Sequence, residues 1–279
     1  MRLPLDIRAR LTEIGGAEDG AIDLFETALV LAAADRPGAR LEPYRRHMEG
    51  IISEVRTYVG GTEPLVPLGL RIEGLVQVII KRYGYGGTQE VFDDLDAVNM
   101  MRVIDSRSGM PIVIGILFMQ TARTLGWDIC GLDFPGRFLV RLEAGGERRI
   151  LDPFAGGAVV EPRDMRDMFK AIAGNHVELR AEHYRDMGNR DILLRLQGNI
   201  KIRLLREERF DDALETLEVM LLFAPDKLEL WRETGLLHAR LDHIKDAVRA
   251  LEEYLRRCGA DEARYNTSML LQELRAQLN

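Results

Sequence analysis

Two thiols, five imidazoles and a scatter of carboxylates are the groups in this 279-residue chain that could make or break bonds. Cys130 and Cys258 lie far apart, so they form neither a disulfide framework nor a zinc site. His47, His176, His183, His238 and His243 make no HxxxH or HExxH pattern, and no metal or other cofactor is expected. His176 and His183 fall in the connecting stretch GNHVELRAEHYRDM and read as solvated. Asp93, Asp94 and Asp96 lack the spacing of an EF-hand and read as a solvated loop. Cys130, in WDICGLDF, reads as a small core hydrophobe, and Cys258 as a structural thiol near a helix end. One pair remains. Arg137 opens RFLVRLE and Asp152 follows ERRIL across an Ala-Gly-Gly turn. With Ala144-Gly145 as the turn the two fall opposite each other; with Gly145-Gly146 they are diagonal neighbours. Either way they share a face and are expected to form a partly buried ion pair. Arginine stays protonated at any working pH, so Arg137 cannot act as a general base. It could present its fork to a carboxylate or a C-terminus.

The elements that would hold this pair are readable in outline. Ala21–Ala34 reads as a helix that ends before Arg36-Pro37-Gly38. Leu41–Val59 is a second, stopped by Gly60-Gly61, and Leu65–Tyr83 a third, with Leu70, Ile72, Leu75, Val76, Ile79 and Ile80 on one buried face. The run PIVIGILFMQTARTLG predicts a helix from Pro111 to Leu125, with proline in its first turn and Gly126 just past its end. It is apolar nearly all round over two turns and should lie deep in the core. Then the period changes to two: Trp127–Leu132 reads as a strand, followed by the hairpin. Residues 1–17 read as a weakly structured lead-in.

Composition narrows the function classes. Apolar residues make up 46% and charged residues 30%, an ordinary globular balance. The net charge of −7 repels phosphate backbones, so no nucleic-acid partner is expected. Arg141, Arg148 and Arg149 read as a solvated hairpin edge. MRLPLDIRAR leads into no long apolar run, and Pro111–Met119 is too short to span a bilayer. A cytoplasmic protein with no membrane partner is expected, and nothing in the sequence sets its oligomeric state.

From Ile192 the chain reads as helical to its end, with a final helix over about Asp261–Leu278 and an internal period of 34. Ala213 matches Ala247, Leu217 matches Leu251, and Pro225 and Gly259 close the two units; Trp231, Gly235 and His238 hold first-helix positions of the second. This pattern resembles tetratricopeptide repeats. Ala213, Leu217, Pro225, Trp231, Gly235, Ala247 and Leu251 are the expected packing residues, and the array is expected to hold a protein or peptide segment. The first unit departs from the pattern, with Gln197 for tryptophan and Lys201 for a small residue.

Three segments, RSGMPIVIGILFMQTARTLGW (107–127), LDFPGRFLVRL (132–142) and RILDPFAGG (149–157), together resemble the transglutaminase-like domain of the bacterial SirB-type proteins, which couple it to tetratricopeptide repeats. The resemblance implies an α+β, papain-like domain over residues 18–190, helices packed on a small antiparallel sheet, and an all-α repeat domain over 191–279. It also implies a nucleophile at the start of the buried helix, a histidine on a strand and an aspartate on the next. The nucleophile position falls at or beside Val113, the base position at Arg137, and the orienting carboxylate at Asp152. No thiol or hydroxyl is available at the first, and the second is a permanent cation. The expected function is therefore a catalytically silent adaptor. The alternatives are a hydrolase or acyl transferase with a non-standard nucleophile such as Cys130, and a structural subunit of a larger assembly.

Overall fold

The computed structural model describes residues 3–36, 38–61, 66–259 and 262–278. Pro37, Leu65 and Asp261, expected in a breaker and at two helix starts, lie outside the described residues. The chain divides into two compact units, Asp19–Leu196 and Met1–Glu18 with Gln197–Asn279.

The opening residues correct the sequence-based expectation. Instead of a weakly structured lead-in they form helix α1 (Leu5–Gly16), which buries Ile7 and Leu11, four residues apart, along a narrow stripe. A Cβ on Gly15 would stand 2.2 Å from the Leu222 carbonyl oxygen and 3.3 Å from Pro225 Cδ. Only glycine lets this backbone approach so closely. The chain's first helix is thus packed within the unit that contains the repeats.

In the unit Asp19–Leu196, α2 (Leu24–Ala34) starts where Asp23 Oδ1 accepts the Glu26 amide at 2.9 Å. It is followed by α3 (Glu42–Tyr58) and α4 (Leu68–Leu75). The single helix expected through Tyr83 changes at Val76 to a π-helical stretch, Val76–Arg82. Next, α5 (Met100–Ser106) is capped by Asn99, whose side chain accepts the Met101 and Arg102 amides, and ends on Arg107 with φ +64°. Helix α6 (Pro111–Thr124) is buried at every residue from Pro111 to Met119. It stops at Gly126, where φ is +74°.

Five antiparallel strands follow: β1 (Asp128–Leu132), β2 (Leu139–Ala144), β3 (Glu147–Asp152), β4 (Ala158–Val159) and β5 (Asp186–Met187), in the order β4-β3-β2-β1-β5. The β2–β3 turn is Gly145-Gly146, closed by the pair Ala144–Glu147, with φ +61° and +82°. Both glycines take the left-handed conformation that lets a two-residue hairpin follow the strand twist. One sheet face receives α6: Phe138 lies against Gly115, where a Cβ would come within 2.4 Å of its ring. The other face is covered by α7 (Pro162–Ala173), whose Met165 and Phe169 pack with Leu132, Phe134 and Leu139. This is the α+β architecture expected, with α7 and the two short outer strands added.

Helix α8 (Asn189–Arg206) leads into α9 (Phe210–Phe223), α10 (Leu228–Arg240), α11 (Ile244–Arg257) and α12 (Glu262–Leu278). The period is visible in the backbone. Glu208 and Asp242, one repeat apart, hold φ +57° and +58°, and the next amides, of Arg209 and His243, each bond the carbonyl five residues back at 2.9 Å. Ala213 and Ala247 are wholly buried, as are Leu217 and Leu251. A Cβ on Gly235 would meet Leu251 Cδ2 at 2.5 Å, so this glycine sets the α10–α11 spacing. Trp231 Nε1 donates to the Pro225 carbonyl at 2.8 Å, and Arg257 Nη1 reaches the same oxygen at 3.1 Å. Lys201, where a small residue was expected, pairs with Glu233 of α10. Among the described residues, no helix is long and apolar enough to cross a membrane.

Candidate functional site

The three residues singled out from the sequence are placed by α6 and the hairpin. Val113 lies in the first turn of α6 with no exposed surface, and Ile112 and Ile114 beside it are buried too. A helix N-terminus stabilises a thiolate or oxyanion when one is present. Here that turn carries only hydrocarbon. Arg137 and Asp152 are brought together: Arg137 Nη1 donates to Asp152 Oδ2 at 2.6 Å. With Gly145-Gly146 as the turn they are the diagonal pair. The Asp152 side chain is 2% exposed, that of Arg137 42%. Asp152 Oδ1 also accepts the amides of Phe154 at 3.0 Å and Ala155 at 3.1 Å. The carboxylate therefore folds the Pro153–Gly157 loop upon itself and anchors Arg137 from below. Three charge- or dipole-bearing donors satisfy it, and no imidazole is among them.

Cys130 sits on β1, paired in register with Arg141, on the face packed by α7. Alternation along the strand puts it on the opposite face from α6. Burial pushes its thiol up to about 12; Arg141 works against this, and the hydrogen-bonded Asp186 adds to it. At neutral pH the thiol is therefore protonated and a poor nucleophile. Arg141 itself is not the solvated edge residue expected: its fork closes on Asp186 at 2.5 and 2.8 Å, and it also bonds Glu143. Nor is His183 solvated, because its ring stacks on Phe169 at 4.4 Å between centroids. Among the described residues, no group of three or more His, Cys, Asp or Glu could hold a metal ion.

Two features escaped the sequence. Arg195 Nη2 donates to the carbonyls of Phe134 at 2.9 Å and Arg137 at 2.6 Å, so it clamps the FPGRF turn from both ends. Its guanidinium also lies 5.7 Å from the Phe138 ring centre. The second is a cluster of His47, Tyr85 and Arg107. Arg107 Nη1 donates to Tyr85 Oη at 2.7 Å and to the Ile104 carbonyl, and lies 2.9 Å from His47 Nε2. Tyr85 Oη lies 2.8 Å from the same Nε2, within hydrogen-bond distance. Burial first, and Arg107 second, hold the His47 imidazolium down to about 4.

That depression has a testable sign. Between pH 6.5 and 4 the unfolded chain takes a proton that folded His47 refuses, so stability falls as pH falls through this window. Discounted for partial exposure, roughly 1–2 kcal/mol should be lost between pH 7 and pH 5. Denaturation of His47→Gln at both values should show that share of the acid sensitivity gone.

A family model described as the transglutaminase-like superfamily matches residues 42–198, more than half of the chain. The chain belongs to the transglutaminase-like superfamily. A tetratricopeptide-repeat model matches residues 200–272. The chain is also similar to a UPF0162 protein of Vibrio cholerae serotype O1, 27% identical over 244 residues, 87% of this chain and 89% of the relative. A UPF0162 protein of Xylella fastidiosa (strain Temecula1) is 26% identical over 241 residues, 85% of each chain. Protein SirB1 of Salmonella typhimurium is 23% identical over 210 residues, 75% of each. These three bacterial relatives each match three quarters or more of this chain.

Proposed function

We propose that this chain is a catalytically silent transglutaminase-like protein that serves as a cytoplasmic adaptor, holding a protein or peptide segment on its helical repeats. The silence follows from Val113, Arg137 and Asp152: at the positions assigned to nucleophile and base stand a buried hydrocarbon and a permanent cation, and the remaining carboxylate is occupied by Arg137 and two backbone amides. Removing the nucleophile alone abolishes most of the rate enhancement of such a triad.

The observation that carries the binding role is an apolar surface in phase with the repeat. Ile202 of α8 is 48% exposed and Leu236 of α10, one 34-residue period later, is 36% exposed. Met269 of α12, also exposed, continues the series within one residue of the next position. Large apolar side chains left exposed at matching places on successive first helices form a ready surface for a partner's apolar anchors. Burying what remains exposed of these two side chains contributes about 1–3 kcal/mol before association costs.

The test compares partners retained by the intact protein and by Ile202→Asp/Leu236→Asp, identified by mass. Both positions are solvent-facing, so the double variant should keep its helical circular dichroism. Its specific partner should be retained at least about tenfold less. An unchanged partner list would remove the repeats from the binding role.

A further inference from the structure

We propose that a groove lined by Arg36, Arg40, Tyr44, His47 and Arg107 binds a small dianion, a phosphomonoester or a dicarboxylate. The groove has a volume of about 510 Å³, within the range of small-molecule sites, and all its lining residues belong to the transglutaminase-like unit. It is distinct from Arg137 and Asp152, and none of the roles proposed above uses it.

The charge balance points to an anion. Three guanidinium groups line the groove against a single carboxylate, Asp105. Asp105 is already engaged, by Arg36 Nη1 at 2.9 Å and Tyr44 Oη at 3.2 Å. Two guanidinium charges have no carboxylate partner among the described residues, in a chain whose net charge is −7. Arg40 has no hydrogen bond or ion pair among the described residues. His47, the imidazole in the lining, is neutral at pH 7 and so adds no charge to the groove.

The donors are also held in place beforehand. Arg107 sits at the end of α5 in the left-handed conformation, φ +64°, which a non-glycine residue adopts only at an energetic cost. Among the described residues, its side-chain hydrogen-bond contacts all use one nitrogen, Nη1. Its Nε and Nη2 have no acceptor among the described residues, and these form the edge of the fork that takes two oxygens of a carboxylate or phosphate side by side. The ring faces of Tyr83 and Tyr85, 5.9 and 5.0 Å from its Cζ, fix the plane of that fork. A strained backbone, an anchored nitrogen and an unused donor edge in one side chain make a preorganised oxyanion site.

The test is titration calorimetry on the intact protein with inorganic phosphate and with succinate, against sodium chloride at matched ionic strength. Saturable one-to-one binding of either dianion is expected, weakened at least about fivefold in Arg40→Ala, whose exposed side chain can be lost without harm to the fold. Arg107→Gln should weaken it further. Phosphate binding without succinate would assign the phosphomonoester, and the reverse the dicarboxylate. Heats reproduced by chloride, no saturable binding of either anion, or equal affinity in Arg40→Ala would overturn the site.

Discussion

Asp152→Ala should destabilise the transglutaminase-like unit by about 3 kcal/mol, the low end for breaking a buried charge pair. The carboxylate is 2% exposed and accepts three hydrogen bonds, one from Arg137 and two from the loop amides of Phe154 and Ala155. Truncation strands both amides and opens the Pro153–Gly157 loop. The cost stays at the low end because the half-exposed Arg137 can return to water. For the same reason Arg137→Ala should cost less, about 1–2 kcal/mol, since Asp152 keeps its two amide donors. Asp152→Asn keeps an acceptor for those amides and should fall between. The two tryptophans lie in different units, Trp127 in Asp19–Leu196 and Trp231 in the repeat unit. Urea unfolding followed on Trp127 fluorescence in a Trp231→Phe background therefore reads the relevant unit alone. Equal losses for Asp152→Ala and Arg137→Ala would mean that the ion pair, not the loop, is what Asp152 supports.

Gly115→Val is the second large effect, with an expected loss of about 3 kcal/mol or more from overpacking. A Cβ at 115 would lie 2.4 Å from Phe138 Cε1 and 2.5 Å from Cδ1. The ring has nowhere to go. Gly131 on β1 approaches it from another side, where a Cβ would come within 2.8 Å, and the Arg195 guanidinium lies over it. Glycine inside a helix normally costs about 0.5–1 kcal/mol relative to alanine, so Gly115→Ala separates propensity from space. If packing governs, even alanine destabilises; if the glycine is incidental, alanine stabilises. Displacing Phe138 should also loosen the FPGRF turn, because Arg195 holds the carbonyls on both sides of it.

How much of this was legible in the sequence varies with the range of the signal. The buried helix was readable because proline at its start, glycine past its end and an apolar run between them are all local marks. The hairpin was readable because Gly145-Gly146 supplies the two positive-φ residues its turn needs, and the nearness of Arg137 and Asp152 followed from it. The repeats announced themselves by period, down to the paired φ values at Glu208 and Asp242. Helix α1 was missed because it buries only Ile7 and Leu11 among charged residues. Its reason for existing is Leu222, some two hundred residues away in sequence, with which Gly15 makes close backbone contact. Strands β4 and β5 hold two residues each, too few to show alternation. Arg141 was misread for that reason, since its partner Asp186 lies on β5. Arg195 was hidden because the start of α8 reads like the array that follows it. His47, Tyr85 and Arg107 are separated by 38 and 22 residues, and no spacing rule links groups that meet only through the packing of three segments.

Catalytic silence requires that no thiol of this chain be activated at neutral pH, and alkylation tests that most directly. The folded protein is treated with iodoacetamide at pH 7, and modification of Cys130 and Cys258 is followed separately by peptide mass. With its thiol pushed up to about 12, Cys130 should react at least about a hundredfold more slowly than in the urea-unfolded chain. Rapid, selective and stoichiometric labelling of Cys130 in the folded protein would contradict the adaptor reading and restore the case for an enzyme.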